Sequence, residues 1–208
     1  MKRRAVASKT VAMNKVMISF GHGYSARAAA RLLGPTGMQI HGTTRKPERL
    51  AQIRASGVTP HLFPGDAFGP LIAEASHLLI SVAPDADGDP VLRELGDIIA
   101  THAERLQWVG YLSTTGVYGD HDGGWVDETT PLTPSTRRGQ WRAQAEAAWQ
   151  AIPGLPLHIF RLAGIYGPGR GPFSKVRAGT ARRIIKPGQV FSRIHAEDIA
   201  QVIAASVA

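Results

Sequence analysis

The chain has 208 residues, of which 43% are hydrophobic, with 24 Lys and Arg against 16 Asp and Glu and no cysteine. That length and apolar content suffice for one buried core. The missing cysteines exclude disulfides and thiolate metal sites and point to a reducing compartment, the cytoplasm. No apolar run approaches the ~18–20 residues of a membrane span.

Residues 1–14 contain no acid and lack the apolar stretch of a signal peptide. They read as a basic, disordered extension, or as an early start with Met13 as the true one, ahead of a single domain over residues 15–208. Four of the excess positive charges, on Lys2, Arg3, Arg4 and Lys9, lie in that extension. The remaining basic excess suits an anionic cofactor at least as well as nucleic acid. No helix-turn-helix, zinc-finger or aromatic-basic pattern is present, so nucleic acid is not an expected partner.

Lys15-Val-Met-Ile-Ser19 reads as a buried strand, and Ala26-Arg-Ala-Ala-Ala-Arg-Leu-Leu33 as a helix that starts near Ser25. Between them stands Gly21-His22-Gly23-Tyr24-Ser25-Ala26, which matches G-x-G-x-x-G/A with Ala26 in the third position. Gly21 allows a tight turn, Gly23 lets a pyrophosphate approach the backbone, and Ala26 lets the helix sit close to the strand. The free N–H groups of the helix start then face phosphate. An ordinary glycine-rich turn would show the same letters, but the strand before it and the helix after it are the context a dinucleotide site requires.

Gln39–Thr43 is a second strand, Pro47–Ala55 a helix and Val58–Phe63 a third strand. His77–Val82 is another buried strand, and Asp89-Pro90 supplies a cap and a first-turn proline for a helix running to about Arg105. Gln107–Ser113 is a strand, and residues 115–134 form a long polar loop. Ser135 or Thr136 caps a helix carrying Trp141, Ala145, Ala148 and Trp149 at helical spacing, with both tryptophans expected in the core. Leu157–Leu162 is a sixth strand, and a last helix starts near Ala196. Such alternation predicts an α/β, Rossmann-type doubly wound parallel sheet with helices on both faces. Ligands of these sheets bind at the carboxyl ends of the strands.

The end of the second strand selects the cofactor. An NAD site places an acid about twenty residues past the glycines, whereas this chain has Thr43-Thr44-Arg45-Lys46 there and no acid before Glu48. Arg45 offers a planar fork for a 2′-phosphate. The expected cofactor is therefore NADP, with NAD as the alternative. A solvated Arg-Lys pair is the plain rival reading.

Four further stretches carry a resemblance. They are Tyr111-Leu-Ser-Thr-Thr-Gly-Val-Tyr-Gly119, Trp125-Val-Asp-Glu-Thr-Thr-Pro-Leu-Thr-Pro134, Arg161-Leu-Ala-Gly-Ile-Tyr-Gly-Pro-Gly169 and Arg193-Ile-His-Ala-Glu-Asp198. With the glycine loop, in this order, they resemble the atypical extended short-chain dehydrogenase/reductases, the NAD-dependent epimerase/dehydratase family. The resemblance implies that Gly21, His22, Gly23, Tyr24, Ser25 and Ala26 form the pyrophosphate loop. It also implies that Thr44 and Arg45 lie at the adenosine ribose, Asp66 at the adenine, and Ser81, Val82 and Ala83 beside the cofactor. Thr114, with Ser113 before it, falls on the hydroxyl that hydrogen-bonds the substrate in active members. Tyr166 to Gly169 match the loop where cofactor and substrate meet, and His195 and Asp198 match a mainly structural motif.

One departure is large. Active members carry Tyr-x-x-x-Lys on the helix after the long loop, and the aligned residues here are Arg138 and Arg142. Arginine cannot give up a proton near neutral pH, so Arg138 cannot replace the acid, while Arg142 can keep a ribose or phosphate contact. Side by side at i,i+4 the two guanidinium groups need an anion between them, such as Glu146, or solvent. The chain also ends in the apolar run Gln201–Ala208, where members of the family continue into a substrate lobe, so a C-terminally truncated form is expected.

The expected partners are the dinucleotide and a small-molecule or nucleotide-linked substrate, without a membrane; a homo-oligomer is compatible with the chain. The eight histidines show no metal-ligand spacing, and the acids of Asp120–Asp127 read as a loop. Two functions stay open. One is an oxidoreductase, epimerase or dehydratase using Thr114, with water or another group moving the proton. The other is an NADP(H)-binding regulator or scaffold without turnover.

Overall fold

The computed structural model describes residues 15–183, 185 and 187–208; the expected basic extension at 1–14 lies outside the described residues. Strand β1, Val16–Phe20, is buried along its whole length, because it lies between two other strands and both its faces are covered. Met17 points to one core, Ile18 and Phe20 to the other. Helix α1 (Tyr24–Leu33) leads to β2 (Gln39–Thr44), α2 (Leu50–Ala55) and β3 (Thr59–Leu62). Helix α3 (Gly69–Glu74) crosses to β4 (His77–Ile80), followed by α4 (Pro90–Thr101), β5 (Trp108–Thr114), α5 (Arg137–Gln150) and β6 (Leu157–Leu162).

These six strands form one parallel sheet in the order β3-β2-β1-β4-β5-β6. The order reverses between β1 and β4, so a crevice opens there at the carboxyl ends. Beyond it, β7 (Gly164–Tyr166) and β8 (Arg193–His195) pair as a small parallel sheet, with α6 (Pro172–Arg177) between them and α7 (Ala196–Val207) after. Helices α1 and α7 cover one face with Ala26, Ala29, Ile199 and Ile203; α3, α4 and α5 cover the other with Ile72, Val91, Ile99 and Trp149.

The caps follow their local chemistry. Asp89 accepts hydrogen bonds from Val91 N (2.9 Å) and Leu92 N (3.2 Å), with Pro90 in the first turn. At α5 the cap is Thr136, whose hydroxyl accepts from Gly139 N at 3.1 Å. Several expected boundaries shift. The helix expected from Pro47 opens as a 3₁₀ turn over Pro47–Arg49, and the helix after Asp89 ends at Thr101 with a 3₁₀ turn at Ala103–Arg105. Trp149 is fully buried, whereas Trp141 is only half-buried. Among the described residues no helix is long and apolar enough to cross a membrane.

Candidate dinucleotide groove and its chemical end

The turn after β1 is pinned from β2. Gly21 lies in the left-handed region at φ 74°, and an added Cβ would meet Val82 Cγ2 and Val82 N at 3.1 Å. Its N–H donates to Thr43 Oγ1 at 2.8 Å, and His22 N–H donates to the Thr43 carbonyl at 2.8 Å. The His22 ring is buried beneath the turn, with Nδ1 3.1 Å from Ser19 Oγ and Nε2 without a partner among the described residues. Gly42 makes room for it, since a Cβ there would stand 2.7 Å from His22 Cγ. Burial pushes the His22 pKa down to about 4, so the ring is neutral near pH 7.

Helix α1 then begins without a side-chain cap or an acid in its first turn. The first helical N–H to find a carbonyl is that of Arg27, bonded to Gly23 O at 2.9 Å. The preceding amides and the positive end of the helix dipole are left for an anion.

Two adjoining cavities run from this turn and share Gly21, Gly23 and Ser81 as walls. The one on the β2 side is about 450 Å³ and the one toward β5 and β6 about 390 Å³. His22, Thr44, Arg45, Val82 and Ala83 line the first; Tyr24, Ser25, Ala26, Ser113, Thr114 and Arg142 line the second. The Ser81 hydroxyl, at their junction, is buried without a hydrogen-bond partner among the described residues. Asp66 lines neither cavity. Its carboxylate turns back to accept the Leu62 N–H at 3.0 Å and lies 3.6 Å from His61 Nδ1, and Phe63 and Pro64 form that wall instead.

Lys46 and Arg49 join Arg45 around the first cavity, a basic cluster larger than the sequence pattern suggested. Arg49, four residues past Arg45, is the signal that was there to find. Arg170, on the wall of the second cavity with its guanidinium 5.4 Å from the Tyr24 ring centre, had none, because the conformation of its loop places it.

The chemical end is built on β5. Thr114 Oγ1 accepts the Gly116 N–H at 3.2 Å, which leaves the hydroxyl hydrogen free to donate. Ser113 donates to the buried Glu146 carboxylate. Arg161 grips that carboxylate through Nε (3.2 Å) and Nη2 (2.9 Å) and gives Nη1 to Tyr118 OH at 3.0 Å. Ser113, Glu146, Arg161 and Tyr118 thus form one closed network behind the cleft.

Arg142 does not use Glu146, contrary to one expectation from its i,i+4 spacing. Its Nη1 donates to Tyr111 OH (3.0 Å), Leu112 O (3.2 Å) and Val82 O (3.3 Å), bridging the ends of β4 and β5. Arg138 is exposed and outside the cleft lining. The pair therefore needs no shared anion, because only Arg142 turns inward. Burial pushes the Tyr111 phenol well above its ordinary pKa.

The remaining tyrosines of the motifs are engaged elsewhere. Tyr118 is buried against Arg161, and Tyr166 is half exposed with its ring edge on His195 at 5.0 Å. His195 caps α7 by accepting the Glu197 N–H at 3.3 Å. Among the described residues no cluster of three or more His, Asp or Glu could hold a metal ion.

Comparison with known proteins follows the same lines. No protein-family model matches the chain. The protein YeeZ of Escherichia coli K12 is 31% identical over 173 residues, which cover 77% of this chain and 62% of that protein, so the chain spans less than two thirds of the curated relative it matches. A functionally unknown conserved protein from Silicibacter pomeroyi is 65% identical with a TM-score of 0.88, over 93% of this chain and 68% of that one. A Methylobacillus flagellatus structure classed as an NAD-dependent epimerase/dehydratase is 27% identical with a TM-score of 0.71, over 94% of this chain and 70% of that one. The sheet order and the glycine turn at its reversal define a Rossmann-type α/β protein. Within that class, the solved structures it resembles include the Methylobacillus flagellatus protein, classed as an NAD-dependent epimerase/dehydratase.

Proposed function

We propose that this chain binds a nicotinamide dinucleotide in the groove, NADP(H) in preference to NAD(H). The observation that carries the reading is the continuity of the groove. It crosses the uncapped start of α1 and runs from a basic cluster at the end of β2 to Thr114 at the end of β5. The orphan hydroxyl of Ser81 at the midpoint supports it, since a buried donor without a partner calls for one from a ligand. At the β2 end Arg45, Lys46 and Arg49 gather where an acid would serve the unphosphorylated ribose, which favours the 2′-phosphate.

The family named in the Methylobacillus flagellatus structure supports an oxidoreductase- or epimerase-type enzyme acting on a small or nucleotide-linked substrate. When bound, the dinucleotide supplies hydride chemistry. Thr114 would hold the substrate oxygen with its free hydroxyl hydrogen, and water or another group would move the proton. Residues 15–208 serve as the dinucleotide-binding domain with part of the substrate-binding region, in a cysteine-free chain suited to the cytoplasm. A second reading, an NADP(H)-binding regulator, is favoured by one observation: neither Arg138 nor Arg142 can act as the acid of a Tyr-Lys pair.

Calorimetry with NADPH and NADH on the wild type and on Gly23→Val tests the core claim. A side chain at Gly23 would fill the approach to the helix start, so NADPH binding should be lost while the melting temperature stays close to wild type. Binding retained in the variant would place the dinucleotide elsewhere.

A further inference from the structure

We propose that Arg142 forms, beside Thr114, a carboxylate-binding site for the substrate. This deepens the proposed function and rests on it only for the ligand's neighbour. The argument starts from which guanidinium nitrogens are used. All three hydrogen bonds from Arg142 to the protein leave through Nη1, to Val82 O, Tyr111 OH and Leu112 O. Nε and Nη2 have no protein partner among the described residues. Those two N–H groups lie on one edge of the planar guanidinium and point in parallel, the geometry that matches the two oxygens of a carboxylate. Arg161 shows that use in the same molecule, holding Glu146 through its own Nε and Nη2.

Charge leads to the same group. Arg142 is half-buried and has no ion-pair partner among the described residues, because Glu146 is committed to Arg161 and Ser113. Asp89 feels the Arg142 charge but stays beyond ion-pair distance, with its carboxylate capping α4. Among the described residues, no Asp or Glu lines the cleft that Arg142 borders, and the other charged wall residue is Arg170. A fixed cation with a free fork in a cleft without acids selects an anion. The three Nη1 bonds hold the plane rigid, so little freedom is lost on binding. Its position fixes the ligand class. Arg142 and Thr114 line the same cleft, and Nη1 sits on Leu112 O, two residues before Thr114 on β5, so a carboxylate on the fork would lie in the cleft that the Thr114 hydroxyl borders. The site takes a small carbonyl or hydroxy compound that carries a carboxylate close to the reacting carbon.

Oxamate, its neutral analogue oxamide and inorganic phosphate are the probes, titrated by calorimetry into the full chain saturated with NADPH. Oxamate should bind at least tenfold more tightly than oxamide. Arg142→Lys, which keeps the charge and loses the fork, should weaken oxamate about ten- to a hundredfold, the worth of a charge-assisted bidentate contact. Because lysine keeps the charge that a ribose or phosphate contact would use, the NADPH affinity of that variant should fall by less than its oxamate affinity. Equal binding of oxamate and oxamide to the wild type would overturn the proposal without recourse to any variant. So would phosphate binding better than oxamate, or a loss of NADPH affinity in Arg142→Lys that matches or exceeds the loss of oxamate. If NADPH fails to bind the wild type, the cofactor reading falls by itself. The same titrations on the apoprotein then decide the carboxylate site by their dependence on Arg142.

Discussion

Replacing Glu146 by Gln should destabilise the fold more than any other single change at the chemical end of the groove. The carboxylate is 1% exposed and accepts from Ser113 and from two nitrogens of Arg161. Removing its charge leaves the Arg161 guanidinium, 18% exposed at the side chain, without a counter-ion. Breaking a buried pair from one side costs about 3–5 kcal/mol. Arg161 retains some water and the Tyr118 hydroxyl, which places this case near the lower end, at about 3 kcal/mol. In a domain of this size that is a fall in Tm of roughly 6–12 °C. Urea unfolding and thermal melts of Glu146→Gln, Arg161→Met and the double variant Glu146→Leu with Arg161→Met form the assay. The double variant should recover most of the loss, because an apolar pair removes both charges at once. A cost below about 1 kcal/mol for Glu146→Gln would mean that water reaches the pair, and the closed network described here would be wrong.

Two further outcomes follow from the groove and its base. Arg45→Ala should weaken NADPH about ten- to a hundredfold and leave NADH nearly unchanged in calorimetry, since only the former offers a 2′-phosphate; equal weakening would show that Arg45 does not read that group. Stability should fall as pH drops from about 6.5 to about 4, because His22 takes its proton in the unfolded chain before it does in the fold. That gap amounts to roughly 3 kcal/mol, and His41 and His77, whose pKa values burial also lowers, act in the same direction. Asp89, raised by burial, acts oppositely and only above its ordinary carboxylate range. Urea midpoints for wild type and His22→Asn across this window should show a shallower slope in the variant.

What the sequence revealed and what it hid divide along one physical line. β1 could be read because both its faces are buried and its five residues are nearly all apolar; the turn after it could be read because Gly21, Gly23 and the helix start are contiguous. Asp89-Pro90 announced α4 for the same local reason. Short or distant features were silent. Helix α3 is six residues long, too short to show a period, and β7 and β8 are three residues each and meet only after the intervening chain has closed a loop. Asp66 was in the expected place along the chain, but the tight turn after β3 folds its carboxylate back onto Leu62 N–H.

The roles of the charged residues on α5 were hidden most completely. Arg138, Arg142 and Glu146 recur every four residues, which predicts one shared face and nothing about who pairs with whom. The partners come from the sheet. The β5–β6 register sets Ser113 opposite Arg161, and Glu146 closes onto both. One turn earlier along α5, the carbonyls of Val82, just past β4, and of Leu112, in β5, take Nη1 of Arg142. One turn earlier again, Arg138 has passed the end of the sheet and meets solvent. Helical spacing therefore aligned three charges, and the depth of each along the strands assigned them to solvent, to the cleft and to the core. The acid that could have neutralised Arg142 is spent one turn deeper, and for that reason Arg142, on the same cleft as Thr114, has no ion-pair partner among the described residues.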